Sequence, residues 1–191
     1  DLKNVDPQGD AELKAALDLV ASWNGAADME NRAAALTIFT GQAIMGSQIH
    51  GAYDRAKALV ALKETAALLK TATGRIDPKW SEVSRVARGG KSWPTDGGPD
   101  TLRAMYAGGD LTKEKFRSGR AGDTYVAMAD WAPDGTYTIN TIHQYGSATI
   151  DASSPHYADQ APLFAAKQFK RPPMTLQDVL AEATRDYRPG K

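Results

Sequence analysis

Thr124-Tyr125-Val126-Ala127-Met128-Ala129-Asp130-Trp131-Ala132-Pro133-Asp134-Gly135-Thr136-Tyr137-Thr138-Ile139-Asn140-Thr141-Ile142-His143-Gln144-Tyr145 is a pair of alternating runs joined by a turn signal. In the first run Tyr125, Ala127, Ala129 and Trp131 share one face. In the second, Tyr137, Ile139, Thr141, His143 and Tyr145 do. Alternation with period two is the mark of a strand, and Pro-Asp-Gly supplies the turn. The segment therefore predicts a β-hairpin.

Everything before residue 88 has a different period. Asp10 is placed to cap a helix carrying Leu13, Ala16, Leu17 and Val20, which stops near Trp23-Asn24-Gly25. Asp28 is expected to cap a second helix with Leu36, Phe39 and Ala43 on one face, broken at Gly46-Ser47. A third helix, from Tyr53 to Lys70, carries Leu59, Leu62, Ala66 and Leu69 and closes at Gly74. Asp77-Pro78 reads as N-cap and first position of a short turn bearing Trp80. Thr175 and Asp178 form a capping box for a last helix with Leu176, Val179, Leu180 and Ala183. The tail from Tyr187 to Lys191 is expected to fray. Helices followed by a hairpin and a terminal helix give an α+β class. Residues 1–88 form the helical segment, 89–121 a long Gly/Pro-rich wrapping loop pinned by Trp93, Leu102 and Tyr106, and 122–191 the hairpin with the last helix. Lys113 to Arg120 reads as a further polar, basic stretch.

Composition narrows the function classes. The 191 residues are 42% hydrophobic and 24% charged, as in ordinary globular chains, and enough for one good core. Lys+Arg and Asp+Glu balance at 23 each, which argues against a nucleic-acid or anionic-membrane footprint. No apolar run is long enough for a membrane span. There is no Cys, so disulfides, thiolate catalysis and Cys-based metal sites are excluded. The chain starts at Asp1, without Met or an apolar leader. It reads as a mature product or a processed piece, and its zero net charge suits a piece that packs inside something larger.

Residue by residue, the chemistry thins out. His50, His143 and His156 lack the helical spacing of a zinc site. His143 reads as a packed histidine on a strand face, and His50 sits at an element boundary. A Ser-His-Asp set from Ser153 or Ser154, His156 and Asp159 is too local, because triad partners come from distant points. Gly97-Gly98-Pro99-Asp100-Thr101 lacks a phosphate loop's Lys-Ser/Thr ending. Asp96 and Asp100, and Asp151 and Asp159, read as solvated loop acids, Arg85, Arg88 and Lys91 as a solvated face. Trp23, Trp80, Trp93 and Trp131 read as packing locks at element ends.

The order of several motifs goes further. The helix pair Leu19-Val20-Ala21-Ser22-Trp23-Asn24-Gly25 and Asn31-Arg32-Ala33-Ala34-Ala35-Leu36 comes first. Trp80-Ser81-Glu82-Val83-Ser84-Arg85-Val86-Ala87-Arg88-Gly89, Asp96-Gly97-Gly98-Pro99-Asp100-Thr101-Leu102-Arg103-Ala104 and Gly122-Asp123-Thr124-Tyr125-Val126 follow. Ile142-His143-Gln144-Tyr145-Gly146 and Ser154-Pro155-His156-Tyr157-Ala158-Asp159-Gln160 complete the series. Together they resemble the large (β) chain of the penicillin acylase family, most of all its acyl-homoserine lactone and aculeacin-type members. The resemblance implies the C-terminal portion of an αββα N-terminal nucleophile hydrolase, cut from a zymogen precursor, periplasmic, and tied to antibiotic or quorum-quenching chemistry. It implies attack by an N-terminal serine hydroxyl, with its own α-amino group as base, on a small-molecule acyl amide. In that family the serine, the oxyanion Asn and the calcium-binding acids precede this region. No catalytic, cofactor or metal residue is therefore assigned here. The implied partners are the small α chain and the N-terminal part of the β chain. One departure stands out: relatives read Tyr-Gly-Gln-Ser before the last motif, and this chain has Tyr145-Gly146-Ser147-Ala148. The competing reading is a non-catalytic binding module that folds alone.

The Ser154–Gln160 run itself is expected to fix the corner after the hairpin. Pro155 would stiffen the turn, and His156 and Asp159 would satisfy backbone groups.

Overall fold

Asp10 starts the first helix as expected: its carboxylate accepts from Leu13 N at 2.9 Å, opening α1 (Ala11–Ser22). The computed structural model describes residues 2–48, 53–185 and 188; His50 and the tail beyond Arg188 lie outside them. Helix α2 (Ala34–Gln48) is capped by Asn31, not Asp28. The Asn31 carbonyl oxygen Oδ1 accepts from Ala33 N and Ala34 N at 2.9 and 3.0 Å, while Asp28 O only closes the preceding turn. Leu36 and Phe39 are buried but Ala43 is exposed, and the helix runs through Gly46-Ser47. Helix α3 (Arg55–Thr73) is capped by Asp54 and ends on Gly74 in the left-handed conformation. The short helix α4 (Trp80–Val83) takes Lys79 as N-cap, two residues past the expected Asp77, and Pro78 is buried ahead of it.

The segment 89–121 is not a wrapping loop throughout. Strands β1 (Ser84–Arg88), β2 (Lys91–Pro94), β3 (Met105–Gly108) and β4 (Arg117–Gly122) form one sheet in the order β2-β1-β4-β3. Gly89-Gly90 turns β1 back into antiparallel β2, and β1 runs parallel to β4. Of the expected pins, Trp93 packs on the second core, Tyr106 donates to Asp100 at 2.7 Å, and Leu102 points fully into solvent.

The hairpin is found where the alternation placed it, with the register now defined. Strands β5 (Tyr125–Trp131) and β6 (Tyr137–His143) pair Tyr125 with His143, Ala129 with Ile139 and Trp131 with Tyr137. They make a separate two-stranded sheet, touched at Thr141 by a bridge to Lys170. Helix α5 (Ala161–Ala165) follows the Ser154–Gln160 run, and α6 (Leu176–Glu182) begins at the predicted Thr175–Asp178 box.

Burial divides into a helical core around Leu17, Leu36, Phe39, Leu62, Leu69 and Trp80, and a smaller one around Val86, Met105, Ile142 and Phe164. Trp80 lies where the helices meet the sheet. Its ring sits 5.4 Å from that of Phe39, and its indole N–H donates to the buried Gly97 carbonyl at 2.7 Å.

Trp80→Ala is expected to cost about 3–5 kcal/mol, the range for emptying a buried indole site. Trp80→Phe refills most of the volume but orphans the Gly97 carbonyl, and should cost about 1–3 kcal/mol. Denaturant midpoints rank the two.

Acid sensitivity has a defined origin. The Leu13 N–H holds the Asp10 carboxyl below its ordinary pKa, and hydroxyls of Thr112, Thr136, Ser153 and Thr175 do so for Asp110, Asp134, Asp151 and Asp178. A depressed folded-state pKa adds stability above the unfolded value, about 3.9, and that stability is lost as pH falls through the folded one. The melting temperature should hold steady as pH drops to about 5 and decline below about 4; Asp134→Asn should shrink the decline.

Candidate functional site

The Ser154–Gln160 run curls tightly on itself. Tyr157 N donates to Ser154 O at 3.1 Å, and His156 N to Ser154 Oγ at 3.2 Å. The His156 ring meets Asp159 through Nδ1 and Oδ2 at 2.9 Å, with the His156 side chain 64% exposed. His156 and Asp159 thus pair with each other instead of satisfying backbone groups. The His156 main-chain carbonyl accepts from Ala148 N at 3.0 Å. The Ser153 hydroxyl donates to Asp151 at 2.6 Å, and Ser154 Oγ accepts from a main-chain amide. Neither serine is engaged by the imidazole, so the local Ser-His-Asp set is not assembled.

Arg88, at the end of β1, ties this run to the sheet. Its Nη2 donates to Thr149 O at 2.7 Å and its Nε to Tyr157 O at 3.4 Å. Its guanidinium carbon lies 3.9 Å from the Tyr157 ring centroid and 4.9 Å from that of Tyr145. Burial pushes the Tyr145 phenol pKa up, with Arg88 and Arg120 opposing it. Arg85 donates to Ser92 and to Ser81 O and lies over Phe116. Arg85 and Arg88 are therefore half-buried and occupied, and of the expected solvated face only Lys91 is exposed.

Asp96 is not a solvated loop acid either. It is 14% exposed and paired with Arg103 at 3.2 Å and with Lys167. Arg103 also donates to Thr95 Oγ1 at 2.5 Å and lies 4.4 Å from the Phe164 ring centroid. Burial lowers the Arg103 guanidinium pKa, and Asp96 and Asp123 pull it back. Asp123 holds the next junction: its Oδ2 accepts from Ala104 N at 3.0 Å and its N–H donates to Ala104 O at 2.9 Å.

Two glycines show how close these segments come. A Cβ on Gly122 would lie 2.1 Å from Ala104 O, and one on Gly146 would lie 1.7 Å from His156 O. Both belong to sequence motifs, and the main chains that meet them belong to others. The motifs recognise one another: Trp80 meets Gly97, Arg88 meets Tyr145 and Tyr157, Ala104 meets Asp123, Gly146 meets His156.

The expected packing locks divide. Trp80 is buried, and Trp23 donates to Ala26 O at 2.8 Å, but Trp131 is 72% exposed. His143 is an exposed partner of Tyr125, with ring centroids 4.8 Å apart, and is not a packed histidine. A groove of about 680 Å³ between α1 and α3 is floored by Ala15, Ala16, Ala66 and Ala67. Its rim acids are engaged, Asp10 by Lys63 at 3.0 Å and Glu12 by Lys70 at 2.7 Å. Among the described residues no group of three or more His, Asp or Glu is placed to hold a metal ion. The arrangement holds segments together.

Gly146→Ala should cost about 3 kcal/mol or more, since backbone must move to admit the methyl group. Limited proteolysis should then cut between residues 147 and 160, where the unsubstituted protein resists.

The model of the family described as penicillin amidase matches residues 1–181. Among curated proteins, acyl-homoserine lactone acylase PvdQ of Pseudomonas fluorescens is 25% identical over 107 residues. That match covers 56% of this chain and 14% of the relative's length. With nearly its whole length inside the family's model, and that family's motifs forming the joints of its fold, the chain belongs to the penicillin amidase family.

Proposed function

We propose that this chain is a structural part of an amidohydrolase cleaving linear amides, with N-acyl-homoserine lactones or related acyl amides as substrates. The serine nucleophile comes from another segment, and this chain contributes no catalytic residue. The reading extends the family membership and the relative's named activity to this chain. On the resemblance alone it also takes the enzyme to be periplasmic.

The observation that carries the structural role is unpartnered apolar surface on regular elements. The hairpin face formed by Tyr125, Ala127, Trp131, Tyr137 and His143 is exposed, although its alternation is that of a half-buried strand. Helix α6 buries no residue, and Leu176 and Leu180 on it are 74% and 66% exposed. Patches of this kind mark surfaces that other protein covers. In this reading they receive the remaining acylase segments, the small chain and the N-terminal part of the large chain. A second reading, a binding module that folds alone, is favoured by the helical core, which the chain closes with its own residues.

The purified 191-residue chain should not turn over an N-acyl-homoserine lactone, whereas a preparation also containing a polypeptide that begins with Ser should. Turnover by the chain alone removes the proposal. Cooperative unfolding of a soluble monomer, with no binding of a hydrophobic dye, favours the module.

A further inference from the structure

Asn24-Gly25 is the one Asn-Gly pair in the sequence, and it forms the corner between α1 and α2. Both residues are exposed, and an added Cβ at Gly25 would meet nothing within 4 Å. Gly25 has φ +83°, a conformation that favours glycine. The Asn24 amide oxygen accepts twice, from Ala26 N at 3.0 Å and from Asn31 Nδ2 at 2.9 Å. Because a main-chain N–H can only donate, the atom facing Ala26 N is the oxygen, and the amide orientation is settled. Among the described residues Asn24 Nδ2 has no partner, and the Gly25 N–H donates to none.

That is a polarised carbonyl carbon with a free leaving group, next to an unshielded amide nitrogen. We propose that Asn24 is a self-modification site, at which the folded corner promotes deamidation through a succinimide. Solvent base removes the Gly25 amide proton and the nitrogen attacks Asn24 Cγ, forming an N–Cγ bond. Charge that develops on Oδ1 is met by the Ala26 and Asn31 donors, which are already in place. The Cγ–Nδ2 bond breaks, and Nδ2 leaves as ammonia after taking up a proton. Water then opens one of the imide C–N bonds, giving aspartate or, with an extra carbon in the main chain, isoaspartate. No electrons change hands, and water is the only co-reactant.

The site matters because other segments rest on it. Asn31, bonded to Asn24, caps α2. Main-chain carbonyls of Ala27, Met29 and Asn31 accept from Gly97, Ser81 and Trp80. Isoaspartate lengthens the main chain just ahead of that acceptor strip and loosens the seat of α4.

The test compares native protein with the same protein unfolded in urea, both aged at mildly alkaline pH and digested with trypsin. The peptide spanning residues 15–32 carries Asn24 and Asn31, and fragmentation with isoaspartyl methyltransferase labelling locates the product. The native protein should convert at Asn24, with Asn31 as unreactive internal control, at least as fast as the unfolded one. Slower conversion in the native protein overturns the proposal, because the corner would then protect. Asn31→Asp keeps the α2 cap acceptor but removes the Nδ2 donor. It should slow native conversion by roughly threefold to tenfold, the worth of one neutral hydrogen bond, and leave the unfolded rate alone. An unchanged native rate overturns the activating role of Asn31.

Discussion

The buried hydrogen bond from the Trp80 indole to Gly97 O is the constraint on which the rest of the structure depends. An indole N–H has no second acceptor to turn to inside a core, and an unmade bond there costs as much as several surface contacts supply. The bond therefore locks the Gly97-Gly98 loop against the helical core. Gly97 N donates in turn to Ala27 O, and Met105 N to Gly98 O, so the loop is held at both ends. Strand β3 starts from that anchored loop and sets the outer edge of the sheet.

Arginines do the second part of the joining. Arg85, Arg88, Arg103 and Arg117 each lie over an aromatic ring. Arg88 spends its hydrogen bonds on main-chain carbonyls, while Arg103 has Asp96 as counter-ion. A guanidinium tolerates this because it is weakly hydrated, planar and rich in donors. Such contacts connect segments far apart in sequence without needing a large apolar interface. That suits a small second core built on Val86, Met105, Ile142 and Phe164.

The hairpin and the helix starts at Asp10 and Thr175 were legible because their causes are local: alternation, a Pro-Asp-Gly turn, an oxygen three residues ahead of a free N–H. The four-stranded sheet was not. Strand β4, Arg117-Ser118-Gly119-Arg120-Ala121-Gly122, has no β-branched residue and no clean alternation. It exists because β1 and β3 offer unpaired edges on either side. Asn31 displaced Asp28 as a cap because the chain turns once more before the helix can start. At the corner, sequence brought His156 and Asp159 close but gave no sign of Arg88, which arrives from 69 residues away.

The sequence by itself determined the helical first half, the hairpin, the lack of thiol chemistry and the family, since each rests on residue identity or on neighbours a few positions apart. Only the tertiary structure decided what the motifs are for. Asp96, Arg85 and Arg88 changed from solvated charges to half-buried joints, and His143 and Trp131 from packed residues to exposed ones. A side chain's environment is set by which distant segment lies against it, and that depends on the burial and hydrogen-bonding demands of both segments at once.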